Sequence, residues 1–377
     1  MHLSPPKQAD CRKAMQESSR YRPAFSVRPA LCGLLVLPLL AVAPLSAQTG
    51  PSRAPQMSET SSLQSDPSQS PELKTPSIFH RPSKNSPAEQ LVHAEAMERA
   101  KRTRRARRAY DALVHHWHSS AEAPQAQLGV ARMREKAGSR MRAFQEYQYA
   151  IDNFSGLFSY EFAIGRQFVI ANELRGELDR GFFGFGREAG VDDVVALFRR
   201  VARNAPSWER TPDCYLMMGL TYESDKRYDE AVVPYETLIA RFPGHELAQT
   251  AAFRVAHCHY RLAQNSPRDE RTLRIALSSQ AAALRSFPDH PERDRLQAML
   301  GDLRTRFVEM QYRQAAFYDR IRKTPGGAVL AYEEFIRTFR PWPEASTWVT
   351  AAQERVDALK LQLPNEPSDS LLNKDTP

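Results

Sequence analysis

The sequence predicts an all-α protein, a right-handed solenoid of degenerate helix pairs over residues 88–361. Three observations carry this. From Ala88 onward apolar residues recur at helical spacing, and no run shows the strict alternation of a half-buried strand. One stretch, residues 214–245, reads as a complete helix–turn–helix unit. Its small-residue position also returns along the chain, at Ala106, Ala143, Val194, Ala231, Ala276 and Ala328. Twelve residues after each of these stand His118, Ser155, Pro206, Pro243, Pro288 and Arg340, where a helix is expected to stop.

In the clearest unit, Tyr215, Met218, Gly219 and Tyr222 fall on one face of a first helix. Asp225 and Lys226 make a turn, and Ala231, Tyr235 and Leu238 share a face of a second helix that Pro243 ends. This order resembles the tetratricopeptide repeat, with small residues where the two helices cross and aromatics between units. The spacings of the small position are 37, 51, 37, 45 and 52 residues, so the repeats are degenerate and some carry inserts.

The ends have other compositions. Residues 1–47 have a basic start, a short apolar run from Leu31 to Ala43 and a small residue at Ala47, the pattern of a secretory signal peptide. Met15 offers an alternative start. Residues 48–87 are rich in Ser, Pro and Gln and read as a disordered linker; residues 362–377 read as a disordered tail. Cys214 and Cys258 remain in the mature chain and are expected to be buried thiols, although an oxidising compartment allows a disulfide.

The net charge of +8 favours anionic partners, and export argues against nucleic acid. The run Arg99–Arg108 holds seven cations in ten residues. It reads as the solvated face of a terminal repeat or as an anchor to an anionic membrane surface. Between residues 179 and 193, four glycines and Phe182, Phe183 and Phe185 resemble the start of a phosphate loop. A helix precedes the stretch where a dinucleotide site needs a strand, so it reads as an enlarged turn. His115, His116 and His118 cluster at a helix end, and His257 and His259 flank Cys258. Neither spacing suits helical metal ligands, which favour i,i+4. Asp192 and Asp193 open a helix and suit its positive end. No catalytic constellation, cofactor or metal site is expected, and the chain reads as a binding protein.

The distal half has a more specific likeness. An insert around Pro267–Glu270, the stretch Phe287–Pro291, a long helix ending in Ala315–Arg320, and Ala328–Phe339 follow in order. Together with Asn204–Pro206 they resemble the BamD-type outer-membrane assembly lipoproteins over residues 140–360. The resemblance implies a role in inserting β-barrel proteins into the outer membrane. It implies binding to a POTRA domain of the barrel-assembly protein through the C-terminal repeats, and contact of the N-terminal repeats with unfolded outer-membrane protein substrates. It also implies export to the periplasm or to the periplasmic face of the outer membrane. One departure is that the cleavage region, Leu45–Gln48, holds no cysteine for lipidation. The expected partner face comprises Leu220, Glu223, Arg254 and Arg261 in the concave groove. The resemblance adds Arg320, Arg322 and Lys323 at the last repeat. The competing function is a periplasmic adaptor for cell-wall or cell-division machinery.

Overall fold

The computed structural model describes residues 73–180 and 188–363. The chain divides into two units, Met1–Glu59 and Thr60–Pro377, and every described residue lies in the second. The expected signal peptide, most of the expected linker, the glycine and phenylalanine stretch 181–187 and the tail from 364 onward lie outside the described residues.

Thirteen α-helices occupy the described residues, and no strand occurs among them. They form successive pairs: α1 (Pro87–Arg99) with α2 (Thr103–His116), α3 (Ala123–Lys136) with α4 (Arg140–Asn153), and α5 (Tyr160–Arg180) with α6 (Val191–Asn204). Next come α7 (Thr211–Ser224) with α8 (Tyr228–Arg241), α9 (Glu246–Asn265) with α10 (Glu270–Ser286), and α11 (Arg293–Arg320) with α12 (Pro325–Phe339). A last helix, α13 (Ser346–Lys360), packs on α12. Each helix packs on the next in sequence; in addition α5 touches α7, α7 touches α9, α9 touches α11 and α11 touches α13. This nearest-neighbour pattern is the helical repeat solenoid that the sequence predicts.

The six small positions found by spacing are all fully buried: Ala106, Ala143, Val194, Ala231, Ala276 and Ala328. Five of them are the fourth residue of their helix; Ala276 is deeper in the longer α10. Four residues further on, Tyr110, Tyr147, Phe198, Tyr235 and Tyr332 are buried beside them, and Gln280 takes this place in α10. The close crossing is tightest at Gly219, where an added Cβ would come within 2.3 Å of the Tyr235 ring. A methyl group there is incompatible with the present helix separation.

The turns inside pairs repeat as well. Two residues before the second helix, Lys101, Gly138, Lys226 and Lys323 all have positive φ, between 51° and 76°. Gly138 takes this conformation without steric cost, and the three lysines hold it against their Cβ. Lys101 divides the basic run Arg99–Arg108. The sequence suggests one helix surrounded by charge, but α1 stops at Arg99 and α2 starts at Thr103. The run is therefore an exposed turn and the first two turns of α2.

Candidate protein-binding surface

The residues expected on the partner face fall into two groups. Leu220 is partly buried against the central core. The side chain of Glu223 is only 11% exposed. It accepts a hydrogen bond from the Tyr235 hydroxyl at 2.9 Å and another from Arg254 Nη1 at 3.1 Å, and His257 Nδ1 lies 3.0 Å away. Burial alone would raise the Glu223 pKa, but the adjacent His257 imidazole, the Arg254 charge and the Tyr235 hydroxyl outweigh it and hold the carboxyl below the usual range. Arg261 donates to the Tyr228 hydroxyl at 3.3 Å and to Gln264 Oε1 at 2.9 Å, with its guanidinium over the Tyr228 ring. These four side chains are engaged with their neighbours in the solenoid.

Glu223 belongs to a motif that the sequence reading missed. In four pairs a tyrosine of the second helix donates to an acid near the end of the first: Tyr110 to Glu98, Tyr147 to Glu135, Tyr235 to Glu223 and Tyr332 to Asp319. Each acid also takes an arginine from the first helix of the next pair or, for Asp319, from α13: Arg132, Arg166, Arg254 and Arg355 respectively. Three consecutive helices are thus joined at one carboxylate. The available signal was an acid twelve residues before the buried tyrosine, present in three of the four cases.

Arg320, Arg322 and Lys323 are different. They lie exposed at the turn between α11 and α12. Among the described residues none of the three has a carboxylate oxygen within 4.0 Å. Around them stand large apolar side chains that a solvated turn does not need: Phe317, Tyr318, Ile321 and Leu330 are 43%, 42%, 68% and 70% exposed. Arg322 lies 6.0 Å from the Phe317 ring centroid. Tyr318 and Leu330 also line an open groove of about 670 Å³, whose floor includes Phe307, Phe335 and Trp342. Exposed apolar surface continuous with a groove and rimmed by cations is the anatomy of a protein contact.

A second cationic surface is formed by Arg99, Lys101, Arg102, Arg104, Arg105 and Arg108, all exposed. Among the described residues none of them is ion-paired. At the helix starting at Val191, Asp193 accepts a hydrogen bond from Gly190 N at 2.9 Å, and Asp192 pairs with Arg227 at 2.9 Å. Both acids therefore serve the local fold, as their position predicts. Cys214 and Cys258 are fully buried free thiols, and burial pushes each up to about 12. They remain protonated and serve as packing groups.

The N-terminal pairs carry a further surprise. Residues 73–86, expected to be linker, lie on the first two pairs. Lys74 Nζ donates to Glu146 at 2.8 Å, Gln127 at 3.0 Å and Asp111 at 3.4 Å, and Lys74 N donates to the Tyr149 hydroxyl at 2.9 Å. Ser83 N and Lys84 N donate to Gln90 Oε1 at 2.9 and 3.1 Å. Composition had missed this because one lysine and a few backbone groups, not apolar area, hold the segment.

Among solved structures the chain is similar to a thermophilic TPR protein of Thermus thermophilus, at 15% identity, covering 57% of this chain and 99% of that one, with a TM-score of 0.29. It is also similar to a tetratricopeptide repeat protein of Parabacteroides merdae, at 12% identity, covering 73% and 98%, with a TM-score of 0.28. No curated protein matches the chain. Among the described residues no helix is long and apolar enough to cross a membrane. The family model YfiO, outer membrane lipoprotein, matches residues 192–371, so from the start of α6 onward the chain is similar to that family, the one its distal motifs resemble.

Proposed function

We propose that this chain is a non-enzymatic scaffold of the bacterial periplasm that takes part in assembling β-barrel proteins into the outer membrane. The supporting observation is a coincidence of position. Within the stretch similar to the outer membrane lipoprotein family, the α11–α12 turn combines exposed Phe317, Tyr318, Ile321 and Leu330 with Arg320, Arg322 and Lys323. In this reading the turn and the groove beside it receive an acidic, partly apolar face of a POTRA domain. Unfolded outer-membrane protein segments meet the inner surface of the earlier pairs, and the cations of Arg99–Arg108 face anionic lipid. Attraction between rim charges speeds encounter, and burial of the apolar side chains holds the complex.

Calorimetry of the chain with the POTRA domains of the same organism's barrel-assembly protein tests this. Binding in the micromolar range is expected. The double reversal Arg320→Glu/Arg322→Glu should weaken it by about tenfold and flatten its salt dependence. Leu330→Asp should weaken it further, because it places a charge in the apolar contact. A folded chain that binds no POTRA domain overturns the assembly role. Capture of cell-wall or division enzymes by the same turn would then move the protein to the adaptor class.

A further inference from the structure

We propose that His80, Asp111 and His115 form a binding site for a divalent transition-metal ion of the zinc type, which clips residues 73–84 onto the first helix pair. One ligand atom from each of the three residues lies within 4.8 Å of the others. His80 comes from the segment preceding α1, while Asp111 and His115 are one turn apart on α2, so an ion would join elements distant in sequence.

The geometry favours an ion over direct hydrogen bonds. His80 Nε2 lies 3.4 Å from Asp111 Oδ2, and His115 Nε2 lies 3.8 Å from Asp111 Oδ1. Both are longer than a good N–H···O bond, which is about 2.7–3.2 Å. Two ligand atoms of a tetrahedral zinc ion, each about 2.0–2.1 Å from the metal, are separated by about 3.3 Å. The two imidazoles stack at 3.9 Å with planes 11° apart, so their in-plane lone pairs run nearly parallel; both Nε2 atoms lie beside the Asp111 carboxylate, and a turn of the His80 ring brings the two lone pairs onto one ion. His115 Nδ1 is 2.8 Å from the Thr75 carbonyl oxygen. A proton held there leaves the Nε2 lone pair facing Asp111, the usual outer contact of a metal-bound histidine.

Charge selects the ion. Lys74 Nζ is 3.4 Å and Arg107 Nη1 is 3.9 Å from the Asp111 carboxylate, and Arg134 pairs with Glu146 nearby. Lys74 has its closer partners in Glu146 and Gln127, so it does not depend on Asp111. Calcium and magnesium need several oxygen ligands and would meet these cations with a single carboxylate. Two imidazoles and one carboxylate suit zinc, nickel or copper, with water completing the shell. A cavity of about 520 Å³, lined by His80, Asp111, Arg107 and Gln90, gives access.

The test is titration of the tag-free full chain with zinc chloride near neutral pH, with cobalt(II) absorption as a second readout. One ion per chain is expected, with micromolar affinity and visible cobalt bands of a four-coordinate site. His80→Ala and His115→Ala should each weaken binding by about tenfold or more and abolish the cobalt bands. His116→Ala and His118→Ala should leave both readouts unchanged. His80 ends a three-residue 3-10 helix, Ile78–His80, outside the thirteen α-helices, so its variant should retain the fold, which far-UV circular dichroism checks. Zinc should also slow proteolysis within residues 73–86. Absence of binding below millimolar zinc, or binding that survives His80→Ala, overturns the proposal.

Discussion

The pairs α7/α8 and α9/α10 are neighbours built on the same plan, and they close differently. Helix α8 has 14 residues and buries Tyr228, Ala231, Val232, Pro234, Tyr235 and Leu238. Helix α10 has 17 residues and buries only Leu273, Ala276, Gln280 and Ala283. In α7/α8 the absence of a side chain at Gly219 lets the Tyr235 ring approach the first helix, and the ring's hydroxyl ends on Glu223. In α9/α10 the aromatic is replaced by Gln280. Its Nε2 donates to the Ala256 carbonyl at 2.9 Å, while its buried Oε1 has no partner. A small separate cluster of Phe253, Ala256, Ala283 and Leu296 joins this pair to the start of α11. Closure of a pair therefore depends on one small residue facing one large ring whose polar end is tied down. Where that ring is lost, the solenoid is held by less buried apolar area.

The largest effect is expected from closing the space at Gly219. In Gly219→Val, the new side chain would occupy the position of the Tyr235 ring, and the two helices would have to separate. A loss of about 3 kcal/mol follows, at the upper end for overpacking. Urea unfolding followed by circular dichroism measures it. A variant within about 1 kcal/mol of the parent, on the order of an ordinary surface change, would show that the crossing is not tight.

Acid is the next lever, because the carboxylates that join helices have lowered pKa values. Burial would raise Glu98, but hydrogen bonds from Lys136, Tyr110 and Arg132 outweigh it and bring it down to about 2 from an ordinary 4.5. Glu223 is lowered from the same ordinary value. A carboxylate with a lowered folded pKa binds fewer protons when folded than when unfolded. Its contribution is complete above pH 4.5 and is lost as pH falls toward the folded value, about 2 for Glu98. Thermal midpoints should fall steadily below pH 4.5, the ordinary value for Glu98 and Glu223. Glu223→Gln should start lower at neutral pH and lose less on acidification. An identical acid response in parent and variant would remove Glu223 from the set.

What the sequence made legible follows from periodicity. The small positions share one register with the turns that follow them, so spacing alone located six second helices. The carboxylate junctions were hidden because their third member comes from the following helix at no fixed distance. Arg132 is 34 residues after Glu98, Arg166 and Arg254 are each 31 after their acids, and Arg355 is 36 after Asp319. For the same reason Glu223 and Arg254 looked like free charges facing a groove. The break in the basic run was hidden because positive φ at Lys101 has no signature in a lysine. The placement of Lys74 and His80 was equally out of reach, since their partners lie between 31 and 75 residues away and composition records only the lack of apolar groups. By contrast, Arg320, Arg322 and Lys323 are exposed at the α11–α12 turn, because a turn between two helices has few ways to hide three long charged side chains.

The smallest effects separate the two pairs most sharply, because the same position carries different chemistry in each. Tyr235→Phe keeps the ring and removes one hydroxyl from Glu223, which stays buried with Arg254 and His257. A cost of about 1–2 kcal/mol is expected for a lost hydrogen bond to a charged acceptor. Gln280→Leu removes the bond to the Ala256 carbonyl, which already accepts within its helix, and also removes the orphaned Oε1. Loss and relief nearly cancel, so the change should stay within about 1 kcal/mol of zero. Hydrogen exchange gives the local readout that a global unfolding curve lacks in a repeat protein. Tyr235→Phe should speed exchange across α7 and α8, whereas Gln280→Leu should leave α10 unchanged or slightly slower. If Gln280→Leu instead opened α10 as much as Tyr235→Phe opens α8, the amide would be a structural tie equal to the tyrosine–acid junction. The α9/α10 pair would then close by polar contact rather than remain the weaker joint of the solenoid.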